Sequence, residues 1–179
     1  MAKDFFLVVK ERRSIRKYKD KEVSKELIEK IIDAARWAPS GLNLQPWEFV
    51  VVTDKSKKKK IRQIYADARK ELKLYEQDTV FVENAVNIFA LSDKTKLAAI
   101  ASAWLAIENI LLAAAALGLG SIVMTAPVAL EKHKSELRKL LNIPENFDIV
   151  AHVLVGYKDE EPEPKPRRDI KSIVHYERF

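Results

Sequence analysis

Residues 11–18 read Glu-Arg-Arg-Ser-Ile-Arg-Lys-Tyr, a short run dense in cationic donors. In an extended segment side chains alternate, so Arg12, Ser14 and Arg16 point to one side. Two guanidinium forks beside a hydroxyl form a receptor for a terminal phosphate, because charge-assisted bonds to phosphate oxygens are about twice as strong as neutral ones. A solvated basic turn is the plainer reading of the same residues. A second chemical stretch is 38–47, Ala-Pro-Ser-Gly-Leu-Asn-Leu-Gln-Pro-Trp. Its Ser, Asn and Gln side chains, set between two prolines, offer the donors and acceptors that the polar edge of a flat heteroaromatic ring requires. A capped turn would account for them equally. Residues 118–121, Gly-Leu-Gly-Ser, suggest a phosphate loop, but the order runs helix to strand and the spacing is not that of a dinucleotide fingerprint. Lys165-Pro166-Arg167-Arg168 is a further basic cluster that alone reads as a solvated tail.

The elements that must position these residues follow from periodicity. Ser24 is a suitable N-cap for a helix over 25–38, with Leu27, Ile28, Ile31, Ile32 and Ala35 on one face and Pro39 as its stop. A strand is expected over 47–53, a charged amphipathic helix over 55–74 and a second strand over 86–92. The alanine-rich stretch 95–117 predicts a long helix, apolar almost all round, suited to burial at the centre of a dimer. Gly118 and Gly120 end it. A short strand over 121–124, a helix over 130–141 and a strong strand over 148–156 follow. Residues 159–166 should be extended, and Ile170, Ile173, Val174 and Tyr176 predict a tail that packs on a partner subunit. No repeat or linker divides the chain, so one α+β domain spanning 1–179 is expected.

Composition narrows the function classes. The chain of 179 residues is 47% hydrophobic and 32% charged, as a soluble globular domain is. The absence of cysteine removes disulfides, thiolate metal sites and cysteine nucleophiles. His133, His152 and His175 lack ligand spacing, so no metal is expected. The net charge of +6 raises nucleic-acid binding, yet the run Lys57–Lys60 carries no interleaved aromatic residues and reads as a solvated helix face. Glu108 within the longest apolar stretch argues against a membrane span, and no export signal opens the chain. A cytoplasmic protein is expected, with no nucleic-acid or membrane partner.

Taken in order, these pieces resemble the nitroreductase family over nearly the whole chain: 12–18, 35–40, 43–47, 118–121, and the tail from Lys165 to Phe179. The resemblance implies an α+β fold with a central, mostly antiparallel sheet flanked by helices, in an intertwined homodimer with FMN at the subunit interface. By similarity, Arg12, Ser14 and Arg16, joined by Lys165 and Arg167, hold the ribityl phosphate, with Arg13 against the cofactor through its backbone. Pro39, Ser40 and Asn43 come from the other subunit, Gln77 carries a side-chain amide towards the ring, and Thr125 and Ala126 approach it after the glycines. The implied activity is electron transfer from NAD(P)H to nitroaromatic, quinone or related small acceptors by a ping-pong cycle, with no catalytic side chain. The alternatives are a specialised flavin enzyme of the same fold (a dehalogenase or flavin-modifying enzyme) and a non-enzymatic FMN-binding protein. Two departures bear on the acceptor: this chain lacks a glutamate that some members carry near Thr125, and its short length reduces the helical cover of the substrate.

Overall fold

The computed structural model describes residues 4–75 and 78–179. Helix α1 spans Phe5–Glu11, where the Asp4 side chain accepts from the Leu7 N–H at 3.1 Å. This cap supplies a start that the apolar run Phe5–Val9 does not itself signal. Helix α2 spans Lys25–Arg36, capped by Ser24 as expected. Strand β1 (Trp47–Val52), helix α3 (Lys55–Glu71), helix α4 (Phe81–Asn84) and strand β2 (Val86–Asp93) come next. Helix α5 covers Ala99–Ala116, four residues shorter at its start than its composition predicts, because Ala98 takes a left-handed φ of 50°. Strand β3 (Gly120–Met124), helices α6 (Ala126–Ala129) and α7 (Glu131–Leu141), and strand β4 (Phe147–Gly156) complete the core.

The four strands form one antiparallel sheet in the order β1-β2-β4-β3. Both faces are covered, which is why the central strands read as continuous apolar runs rather than alternating ones. Ile88 and Ala90 face α2 and α5, with Ile31, Ile107 and Val153 in the same core. Phe89 and Leu91 face the opposite core, built from Ile61 and Tyr65 of α3, Leu137 of α7 and Leu154. Helix α5 is long and apolar enough to cross a membrane by length and composition. Here one face of it, including Ala103, Ala106, Ile107 and Ile110, is buried against the sheet and α2, while Ile100, Trp104 and Leu105 are exposed.

A polar network sits at the centre of the sheet. Asn87 Nδ2 donates to the carbonyls of Val82 (2.8 Å) and Ala85 (3.1 Å), which fixes its Oδ1 towards His152 Nε2 at 2.8 Å. Oδ1 only accepts, so Nε2 carries the proton and the buried Nδ1 is bare. Phe89 stacks on the imidazole at 4.3 Å. Burial lowers the pKa of His152 from 6.5 to about 3. The unfolded chain therefore binds a proton near pH 6.5 that the folded chain refuses, and stability complete above that pH is lost as it falls towards 3. Urea unfolding at pH 7 and pH 4.5 should reveal a loss of about 2–3 kcal/mol from this residue. The variant H152L, less stable at pH 7, should lack that component of the pH dependence.

Candidate functional site

The arginine-rich segment lies across the ends of β3 and β4. Ile15 N–H donates to the Ser121 carbonyl at 3.0 Å, and Ser14 bridges Ser121 in parallel. Tyr18 bridges Lys158, while Lys19 N–H donates to Tyr157 O and Asp159 N–H to Lys17 O, both at 3.0 Å. Close approach is what glycine permits here. A Cβ on Gly120 would lie 2.7 Å from Ile15 Cγ1 and from Lys158 Cγ, and one on Gly156 would lie 2.8 Å from the Tyr18 ring. Gly118 alone takes the left-handed conformation, φ 76°, and closes α5 with Leu119 N–H on Ala114 O and Gly118 N–H on Ala115 O. Gly120, expected to serve as a cap, instead clears space for the segment.

The cationic run alternates only in part: Ile15 is buried and Ser14 half-buried, whereas Arg16 and Lys17 are both exposed. It ends at Tyr18, which turns into the core beside Gly156. Burial pushes the Tyr18 hydroxyl well above its usual range, with a smaller push from Glu160, so it is a neutral phenol and no proton shuttle at physiological pH. Arg13 folds its Nη1 back onto the carbonyls of Lys10 (2.6 Å) and Arg12 (2.7 Å) at the end of α1. Its Nε is buried without a hydrogen-bond partner among the described residues, as is Ser121 Oγ. Both residues line a cavity of about 70 Å³, together with Arg12, Gly120 and Lys158. The carboxylates Glu11 and Glu161 also line it, and Lys158 Nζ donates to Glu161 at 2.8 Å. Orphaned donors and surplus cations at one small concavity fit a phosphate monoester.

Glu160 was not singled out in the sequence, yet its carboxylate accepts from the backbone N–H of Arg16 and, at 3.1 Å, from that of Lys17. It ties the post-sheet segment to the arginine run. Lys158 and Gly156 were likewise not expected at the site; only the strand ends, invisible to local periodicity, bring them there. Lys165 and Arg167 are exposed beyond this tie, and the one hydrogen bond between them, Arg167 Nη1 to Lys165 O at 3.4 Å, is local.

The second stretch forms a separate cradle. Ser40 Oγ accepts from the Gln45 N–H at 2.9 Å across a 3-10 turn at Gly41–Asn43. Leu42, Asn43 and Gln45 all hold left-handed φ angles of 52°, 54° and 46°. Such conformations cost about 1–2 kcal/mol for an ordinary residue and less for Asn, so the loop is held against strain by its hydrogen bonds and prolines. Pro39 and Asn43 are exposed and Ser40 half-buried. Among the described residues no hydrogen bond or ion pair links this loop to the arginine run. Thr125 is exposed and Ala126 half-buried at the end of β3, where α6 starts. Gln77 lies outside the described residues.

The chain as a whole resembles known proteins. The sequence pattern of the Nitroreductase family matches residues 9–157. A solved FMN-dependent nitroreductase from Clostridium difficile is 35% identical, with a TM-score of 0.80 over 96% of this chain and 98% of its own. A solved iodotyrosine deiodinase bound to FMN and 3-iodo-L-tyrosine is 28% identical, with a TM-score of 0.88 over 98% of this chain and 100% of its own. The FMN reductase [NAD(P)H] of Bacillus subtilis is 29% identical over 93% of this chain and 71% of its length.

The Gly120 contact makes the site's placement testable. Ile15 Cβ would also lie 3.0 Å from the added methyl, so the neighbour cannot simply swing aside. Gly120→Ala should cost about 1–3 kcal/mol in denaturant unfolding and speed amide exchange at Ile15. With its glycine-dependent arginine cradle beside the antiparallel sheet and its match over residues 9–157, the chain belongs to the nitroreductase family.

Proposed function

We propose that this chain is an FMN-dependent oxidoreductase that passes electrons from NAD(P)H to small oxidised acceptors such as nitroaromatics and quinones. The observation that carries the reading is the concavity lined by Arg12, Arg13, Gly120, Ser121 and Lys158, in which Ser121 Oγ and Arg13 Nε are left without partners and suit the phosphate of FMN. When bound, FMN supplies the hydride chemistry, so the protein's part is binding, orientation and electrostatics. Arg12, Ser14 and Arg16 hold the phosphate from the sheet edge, and Lys165 and Arg167 close on it from the tail. Arg13, whose Nη1 is engaged by the α1 carbonyls, also lies against the cofactor through its backbone. Thr125 and Ala126 offer backbone groups to the ring from the end of β3. Pro39, Ser40 and Asn43 line the ring from a second subunit, where the strained turn presents the Asn43 amide; Gln77 adds a further amide. NAD(P)H and the acceptor take turns on the same exposed face, a ping-pong order that requires no acid or base from the protein.

The dimer reading draws on apolar surface that one chain leaves bare. Trp37, Leu42, Leu97, Ile100, Trp104 and Leu105 are exposed around α2 and α5. In the tail, Ile170 is 70% exposed and Tyr176 83%. A groove of about 1440 Å³ lined by Ile28, Ile32, Val51, Lys21 and Glu29 opens beside β1, an edge strand with unpaired backbone groups. We assign its occupant as the tail of the second copy. Removal of residues 169–179 should then yield monomer by light scattering; an intact dimer would discard the tail's role.

A second reading, reductive dehalogenation of an iodinated aromatic, is favoured by the full-length likeness to a deiodinase of comparable size. Steady-state reduction assays with NADH or NADPH should separate the two, with turnover of a nitroaromatic or quinone expected and turnover confined to 3-iodotyrosine favouring the second. An FMN-binding protein without enzymatic activity would reduce neither. For the phosphate site, Arg12→Ala, Arg16→Ala and Arg167→Ala should each weaken FMN binding by roughly 1.5–3 kcal/mol without unfolding the protein. Unchanged affinity in all three would remove the assignment.

A further inference from the structure

Helix α5 has one charged side chain, Glu108, among eighteen residues that are otherwise apolar or small apart from Ser102 and Asn109. Its position is fixed, because Asn109 Nδ2 donates to the Ala34 carbonyl of α2 at 3.1 Å and sets the rotation of α5. The Glu108 carboxylate, 53% exposed, lies 3.9 Å from Arg12 Nε. Arg12 is the residue that closes α1, its N–H on Val8 O at 2.9 Å, and its own side chain is 23% exposed.

We propose that Glu108 is a positioning residue for the phosphate site, its carboxylate drawing the Arg12 guanidinium from the Nε side as an ion pair at 3.9 Å, so that the two terminal nitrogens are left to grip phosphate. The inference rests on the FMN reading above and goes beyond it. The chemistry of the contact favours holding over competition. A bidentate grip on phosphate can use the Nη pair, and the carboxylate approaches through Nε, the third side of the same planar group. A carboxylate placed to compete would meet the Nη pair instead.

A solvent-exposed ion pair of this length is ordinarily worth little, since water screens it and two side chains must be held still. Three features set this one apart. Arg12 is three-quarters buried, α5 is tied to α2 through Asn109, and the exposed neighbours of Glu108 on the helix, Trp104 and Leu105, are apolar. A second copy seated on that face would exclude water from the carboxylate and strengthen its hold on Arg12. Glu108 therefore joins the cofactor site to the surface through which the chain would dimerise.

The test uses two ligands that differ in one group, FMN and riboflavin, titrated by fluorescence into the full-length apoprotein at fixed ionic strength. Glu108→Gln keeps the shape and removes the charge. It should weaken FMN about 10-fold, within the range of coupling between residues of one charge network, and leave riboflavin unchanged. In an Arg12→Ala background, where there is nothing to position, E108Q should have no further effect. Equal weakening for both ligands would mean that Glu108 serves packing or dimerisation alone, and overturns the proposal. Unchanged or tighter FMN binding overturns it as well, the latter by revealing a carboxylate that repels phosphate. Should E108Q fail to fold, E108D, which retains the charge on a shorter stem, is read by the same FMN-to-riboflavin comparison. Wild-type protein that binds neither ligand would sink the flavin reading and this inference with it.

Discussion

The site depends on a close approach between the arginine run and the ends of two strands. Cations crowded within five residues repel one another, and a free segment would spread them into solvent. Here the backbone settles the matter. Ile15, Lys19 and Asp159 N–H groups bond across to Ser121, Tyr157 and Lys17, while Ile15 and Tyr18 bury their side chains on the α3 and α7 side of the sheet. Each backbone bond is worth roughly 0.5–1.5 kcal/mol, and a buried Ile adds about 1.5–3. Repulsion between partly solvated cations is smaller per pair at high effective dielectric, so packing wins and Arg12 and Arg16 are held at the rim. Without Gly120 and Gly156 the strand ends would stand off, and the same residues would be an ordinary basic loop.

Rigidity beneath that rim comes from the middle of the sheet. His152 on β4 and Asn87 on β2 are fully buried, and their bond joins the two central strands through side chains as well as through the ladder. A charged imidazole there would have no counter-ion, so the network works only when His152 is neutral. The consequence reaches the site because β4 continues into Tyr157 and Lys158, which take part in the contacts with the arginine run. Polar groups at the core thus fix strand register, and strand register fixes where the cations stand.

Much of the fold could be read from the sequence because it is local. Ser24, Pro39 and the apolar spacing of 27–35 define α2, and the unbroken apolar runs 86–92 and 148–156 define the doubly covered central strands. Helix α1 was missed because Phe5–Val9 is apolar without a turn signal, and only the Asp4 cap decides its conformation. The start of α5 was placed too early because composition cannot register the left-handed Ala98. At the site, the residue types of the arginine run were legible, but Glu160 and Lys158 were not. They arrive from more than a hundred residues away through strand pairing, which no periodicity encodes. The strain at Leu42, Asn43 and Gln45 was equally hidden, since none of these is glycine and nothing in their order demands a positive φ.

The proposed second copy follows from what a single chain leaves undone. The arginine run and the Ser40–Gln45 turn are both built with care, one by glycine clearance and the other against backbone strain, yet no hydrogen bond or ion pair among the described residues joins them. The Ser40–Gln45 hydrogen bond and the flanking prolines hold that turn within one chain, yet Leu42 and Asn43 stand exposed on it. The chain also bares Trp37 and the outward side of α5, an apolar surface that a lone chain would rarely leave uncovered. In the proposed twofold assembly one copy's turn would lie beside the other copy's arginines, and the apolar helix would be covered in the same step. It also gives Glu108 a reason to be where it is. A single carboxylate on an apolar helix costs little in water, and once covered it must be paired, for which Arg12 already stands within reach.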